Sequence, residues 1–310
     1  CAALPDTEGG ARMKKLLILS GKGGTGKTTT AAAFIRFAGA RSVADCDVDA
    51  PNLALVSGGY PETRETDFKG SDKAKIDENL CIGCGKCAKM CRFGAISPAG
   101  GGKYAVDELR CEGCGLCTEV CPVGAARLDK DIAGSLRVRS GDGVFADAEL
   151  RMGRGNSGKL VTEVKRALYD AAGEAELAII DGSPGVGCPV MASMNGVSLA
   201  LIVTEPSVSG FGDMQRLVRT ASMARVRTAV CVNRADVSPE LSADIERWCA
   251  EQGVPFLGRV PFDRSAQRAI NEGRSVADMD CPARAALYDV FIKAMELLDI
   301  KMTDKETKKL

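Results

Sequence analysis

Gly21-Lys22-Gly23-Gly24-Thr25-Gly26-Lys27-Thr28 follows the apolar run Leu16-Leu17-Ile18-Leu19 and leads into Thr29-Thr30-Ala31-Ala32-Ala33-Phe34-Ile35. That order reads as a strand, a glycine-rich loop and the start of a helix. It satisfies G-x-x-x-x-G-K-[ST] at every fixed position. Glycines at these places let successive backbone N–H groups converge on one anion, which a helix N-terminus also attracts. Lys27 would reach the terminal phosphates, and the Thr28 hydroxyl would hold Mg²⁺. An ordinary glycine turn would require neither Lys-Thr at that spacing nor this strand and helix around it. Residues 21–29 are therefore expected to bind a nucleoside triphosphate, ATP or GTP.

Working outward, strand and helix signals alternate. Strands are expected at 15–19, 42–45, 177–181, 199–204, 228–233 and 255–260, and helices at 28–37, 159–171, 213–223, 240–252 and 283–298. Most of the strand segments are short continuous apolar runs, as strands buried on both faces of a parallel sheet require. The expected fold is α/β: a doubly wound, mostly parallel sheet that binds ligands at its strand carboxyl ends. The alternating residues 136–154 predict a hairpin that links this core to a small domain inserted after the second strand. The inserted domain is drawn at 76–129 and the core at 13–75 with 130–310. The chain begins at Cys1, and a natural start at Met13 would leave residues 1–12 as a tag remnant or leader.

Two acidic segments and one amide fall at expected strand ends. Asp45-Cys46-Asp47-Val48-Asp49 closes the second strand, and Asp181 closes Leu177-Ala178-Ile179-Ile180. A carboxylate facing the phosphate loop can hold the hydration shell of Mg²⁺, the role assigned to Asp181, or orient an attacking water, the role assigned to Asp47. Asn233 can offer its amide to a purine edge.

Composition narrows the classes further. At about 150 residues per domain, 310 residues allow two domains. The 41 basic residues are balanced by 41 acidic ones, so bulk charge gives no signal for nucleic acid. No apolar run approaches the roughly 20 residues of a membrane span, and a cytoplasmic protein is expected. Histidine is absent, which excludes His general bases, mixed Cys/His zinc sites and His-ligated haem.

Eight of the fourteen cysteines lie between positions 81 and 121. Cys81, Cys84, Cys87 and Cys91 follow C-x₂-C-x₂-C-x₃-C, and Cys111, Cys114, Cys117 and Cys121 repeat it thirty residues later. Zinc would leave the regular third cysteine unexplained, and disulfides are disfavoured in a reducing cytosol. The double run resembles the bacterial-type, two-cluster ferredoxins, in which the fourth cysteine of each run ligates the other cluster. That resemblance implies two 4Fe–4S clusters, one on Cys81, Cys84, Cys87 and Cys121, the other on Cys111, Cys114, Cys117 and Cys91. Pro122 follows the second run as in that family, whereas Arg92 stands where the first run usually has proline.

Lys22, early in the phosphate loop, is the extra lysine of the deviant Walker A ATPases. With Asp45, Asp47 and the segment Asp181-Gly182-Ser183-Pro184-Gly185, the chain resembles the MinD, ParA and Mrp-type families and the nitrogenase iron protein. The inserted cysteine block narrows the resemblance to MinD-superfamily P-loop ATPases with a ferredoxin insert. The resemblance implies ATP as the nucleotide and a nucleotide-dependent dimer, with itself or a paralogous ATPase. Lys22 of one subunit would then reach the phosphates on the other, and Lys22, Lys27 and Asp47 would serve hydrolysis. Cys188 sits at the switch-segment spacing of a bridging cluster ligand, but Arg151 stands where its companion cysteine would be. A small residue packed at a helix start is expected there instead. The expected function is an ATPase coupled to two 4Fe–4S clusters, for electron transfer or metallocluster maturation of a client protein. The alternative is positioning of cell components on a membrane or DNA, as MinD and ParA do.

Overall fold

The computed structural model describes residues 13–57 and 60–301. The expectation for residues 1–12 lies outside them. Among the described residues thirteen strands occur in chain order: β1 (Lys14–Leu19), β2 (Ser42–Asp45), β3 (Glu62–Lys69), β4 (Lys73–Ile76), β5 (Ile96–Pro98), β6 (Tyr104–Val106), β7 (Ala126–Asp129), β8 (Ile132–Ser140), β9 (Val144–Leu150), β10 (Leu177–Asp181), β11 (Leu199–Thr204), β12 (Thr228–Asn233) and β13 (Phe256–Val260). The main sheet has the order β13-β12-β11-β1-β10-β2-β9-β8-β3. Every pairing from β13 to β9 is parallel.

The central strands are solvent-free. All six residues of β11 are buried, and Leu16, Leu17, Ile18 and Leu19 of β1 have no exposure. One face packs against the helices Lys27–Ala38 and Pro282–Leu297, where Phe34 and Phe291 meet edge to face at 5.2 Å. The second of these helices buries Leu287, Val290, Phe291, Ala294 and Met295, so it is a core helix. The helix Ser157–Ala171 buries Leu160, Val161, Val164 and Leu168 at four-residue spacing. Among the described residues no helix is long and apolar enough to cross a membrane.

Several elements depart from the expected list, the helix Arg264–Asn271 among them. β3 reads Glu-Thr-Arg-Glu-Thr-Asp-Phe-Lys and buries only Phe68, so no apolar alternation announces it. The helix Val208–Met223 begins five residues before its expected start, because Ser207 caps it by accepting the Gly210 N–H at 3.0 Å. Cys188 opens the helix Cys188–Met194 and is exposed, not packed. The expected hairpin over 136–154 is β8 with β9, and β9 also joins the parallel sheet beside β2.

The chain divides into two compact units. One holds the residues up to Glu65, Leu136–Ala148 and those from Ser157 onward; the other holds Thr66–Ser135 and Glu149–Asn156. The second is wider than the 76–129 drawn from the cysteines, and three of its four boundaries fall within β3, β8 and β9. Inside it, β4 pairs antiparallel with β7 and β5 with β6. The short helices Lys86–Met90 and Leu116–Glu119 follow the cysteine loops.

Candidate functional site

Five adjacent strands end at one crevice. The glycine loop leaves β1, Asp45 ends β2, Asp181 ends β10, Thr204 ends β11 with Glu205 next, and Asn233 ends β12. Gly26 has φ 95°, and a Cβ there would lie 2.2 Å from Asn233 Nδ2. Asn233 donates from Nδ2 to the Thr25 carbonyl at 2.8 Å. It therefore fastens the loop backbone, and glycine at 26 is required both by the left-handed backbone and by this contact.

Lys27 and Thr28 meet on one carboxylate. Lys27 Nζ lies 2.6 Å from Asp181 Oδ1 and 3.8 Å from Asp47 Oδ2, while Thr28 Oγ1 donates to Asp181 Oδ2 at 2.6 Å. Burial works against the Lys27 ammonium, yet Asp181 and Asp47 together hold its pKa above the ordinary lysine value. Asp47 is raised by burial and by Asp181, against the pull of Lys27. The flanking segment is tied in as well, with Ser183 Oγ donating to the Cys46 carbonyl at 2.5 Å and Gly185 N to the Ser20 carbonyl at 2.9 Å.

Asp45 plays a part the sequence did not distinguish from that of Asp47. It has no exposure, and accepts backbone N–H bonds from Asp47, Asn52 and Leu53, each at 3.0 Å. It thereby shapes the loop that presents Asp47. Burial, reinforced by Asp181, pushes its carboxyl from 3.8 to about 7. A carboxyl raised on folding binds its proton more tightly in the native state, so stability falls as pH climbs between those two values. The melting midpoint of the nucleotide-free chain, followed by the single Trp248, should drop from pH 5 to pH 7.5. A flat profile would contradict the burial of this charge.

Lys22 turns to the other side of the loop. Its Nζ lies 2.5 Å from Glu205 Oε1 and donates to Ser209 Oγ at 3.1 Å. Glu205 was not among the sequence-derived candidates. Lys165 was missed too: fully buried, it donates to the carbonyls of Ala192, Ser193 and Asn195 at 3.1, 2.7 and 2.5 Å. It closes the carboxyl end of the helix Cys188–Met194, and burial draws its pKa down to about 8.

The residues fit a nucleoside triphosphate. The Thr25 hydroxyl is buried with no hydrogen-bond partner among the described residues, at the centre of the loop. No side chain among them caps the helix Lys27–Ala38, whose N-cap is Gly26. Gly21, Gly23 and Gly24 complete the loop, and Thr29 lies in the first turn of the helix.

The second unit brings the eight clustered cysteines around two cavities. One is lined by Cys81, Cys84, Cys87 and Cys121, the other by Cys91, Cys111, Cys114 and Cys117. Backbone N–H groups point at the sulfurs: Ala74 to Cys111, Ala95 to Cys91 and Ala125 to Cys121, at 3.3, 3.4 and 3.2 Å. Four thiols lining each cavity, in a chain without histidine, are the donor set a 4Fe–4S cluster takes. By contrast Cys46, Cys231 and Cys249 are buried singly, with thiols pushed up to about 12, 12 and 11.

Residues 74–128 match the family described as the 4Fe-4S dicluster domain. Over 289 residues the chain is 30% identical to the protein MJ0578 of Methanocaldococcus jannaschii, spanning 92% of this chain and 97% of that one. It is 26% identical to the iron–sulfur cluster carrier protein of Pyrococcus furiosus, over 94% of this chain and 89% of its relative. The structure of the septum site-determining protein MinD of Pyrococcus horikoshii, complexed with Mg-ADP, superposes with a TM-score of 0.55 at 19% identity, covering 92% and 97% of the two chains. That last likeness is one of fold. With a full-length relative at this identity, the chain belongs to the family of MJ0578, and it combines a MinD-type P-loop ATPase fold with a 4Fe–4S dicluster domain.

Proposed function

We propose that this chain is a Mg²⁺-dependent ATPase that works as a nucleotide-switched dimer and carries two 4Fe–4S clusters. The observation that carries this reading is the pair of four-cysteine cavities in a chain whose Lys27 and Thr28 both meet Asp181. Cys81, Cys84, Cys87 and Cys121 would hold one cluster; Cys91, Cys111, Cys114 and Cys117 would hold the other. When bound, such clusters supply one-electron chemistry. Thr28 and Asp181 would bind Mg²⁺, Lys27 the terminal phosphates, and Asp47 would orient the attacking water. Asn233 would hold the loop in place at the purine side. The output is electron transfer to a partner or metallocluster maturation, and the carrier named among the relatives supports the second.

Lys22 would leave Glu205 and reach the phosphates bound to the facing subunit, a redox or maturation client docking separately. Lys22→Ala should cut ATP turnover roughly 10²–10³-fold, the range for removing one transition-state donor, with nucleotide affinity of the monomer nearly unchanged. Equal turnover in the variant would count against the trans role. The reading as a whole is tested by anaerobic purification with iron and sulfide counts and EPR, with and without Mg-ATP. Eight irons per chain and a nucleotide-dependent EPR change are expected. Material without sulfide would overturn the cluster assignment; spectra indifferent to nucleotide would overturn the coupling.

A further inference from the structure

The second unit carries an internal repeat that extends beyond the cysteines. Lys73 Nζ donates to the backbone carbonyl of Cys111, and Lys103 Nζ donates to that of Cys81. Lys73 and Lys103 are thirty residues apart, as are Cys81 and Cys111. The neighbours repeat as well. A Cβ on Gly113 would strike the Asp72 carbonyl at 2.1 Å, and one on Gly83 would strike the Gly102 carbonyl at 2.2 Å. Each lysine-bearing segment thus lies against the other half's first cysteine loop, and each delivers an ammonium to its first cysteine.

The two ammonium groups are not equivalent. Lys73 is 7% exposed, whereas Lys103 is only half-buried. Lys73 also precedes Ala74, which lines the second cavity and whose N–H points at Cys111 Sγ. The one acidic residue lining that cavity, Glu112, is exposed and so screened by water. Adding one electron to a 4Fe–4S cluster adds one negative charge and moves no proton. A fixed cation close by favours that reduced form, and more strongly where water is excluded.

We infer that Lys73 and Lys103 are positioning residues that set the reduction potentials of the two clusters unequally, the Cys91/Cys111/Cys114/Cys117 cluster being the easier to reduce. This rests on the cluster reading above. An electron from a low-potential donor, dithionite or an electrode in the test, would then settle on the Lys73 side.

The test is an EPR-monitored redox titration of the anaerobically purified full chain, with iron counted for every sample. Lys73→Met should lower one couple, cutting its reduced-to-oxidised ratio at fixed potential roughly tenfold, about 59 mV for one electron. Lys103→Met should lower the other couple by less, and Lys73→Arg should restore the parent value. Two couples unmoved by either methionine variant, or both moved equally by each, would overturn the inference while leaving the clusters in place. Should Lys73→Met fail to assemble its cluster, Lys103→Met and Lys73→Arg decide the matter alone. A wild-type chain without iron and sulfide would instead defeat the cluster reading itself.

Discussion

Lys27→Met is expected to lower ATP turnover by about 10³-fold, at the upper end of the loss for one transition-state donor, and to destabilise the nucleotide-free chain. Both effects follow from one geometry. Lys27 is 6% exposed and lies between Asp181, which has no exposure, and Asp47. Removing one partner from a buried ion pair leaves an uncompensated charge and costs about 3–5 kcal/mol. Asp45 deepens the effect, because its own carboxyl already sits at about 7 beside Asp181. The deficit should therefore shrink as pH falls from 8 to 5 and a carboxyl takes up a proton. Turnover within a few-fold of the parent would remove Lys27 from the chemistry. A melt by Trp248 fluorescence unchanged at pH 8 would show that the buried trio needs no cation.

Loss of the clusters is expected to unfold the unit built around residues 74–128 while the larger unit stays folded. The buried cluster around the cysteines consists of Ala74, Ala95, Ile96, Cys111, Cys117 and Ala126, with Ile76, Tyr104 and Val106 only half-buried against it. Of the six buried ones only Ile96 is a large aliphatic side chain, and two are proposed ligands. So small an apolar core cannot offset the conformational entropy of ordering the segment. Ligation would supply the difference, as metal binding does in other small domains. Amide exchange read by mass spectrometry should show protection across 74–128 collapsing towards that of a free chain after anaerobic chelation. Protection in β1, β10 and β11 should persist, since those strands lie in the large core. An iron-free chain that keeps its protection at 74–128 would refute the argument.

The sheet was legible because its strands are buried on both faces: β2, β10, β11 and β12 lie where the apolar runs placed them. β3 escaped notice because strand pairing is a backbone property, and its side chains, all but Phe68, face solvent. At the site, the loop and Asp181 could be read because each chemistry demands a fixed residue at a fixed spacing. Lys165 could not: a lysine on an amphipathic helix reads as solvated, and only the carbonyls of residues 192, 193 and 195 give it a buried role. Glu205 was hidden for a similar reason, since a residue just past a strand shows no sign of Lys22, 183 positions away in sequence. Asn233 was assigned to a purine edge, while its Nδ2 lies on the Thr25 carbonyl. The swapped grouping of the cysteines came from ferredoxin likeness alone; spacing by itself pairs each run with its own fourth member.

Three of the four boundaries of the smaller unit cut through strands, β3, β8 and β9. An ATPase stripped of its iron–sulfur half therefore cannot be made by simple excision. Deleting residues 66–135 would truncate two strands and bare a raw sheet edge, inviting self-association. Cysteine-to-serine exchange, which leaves the polypeptide path whole, is the sounder route to a cluster-free variant.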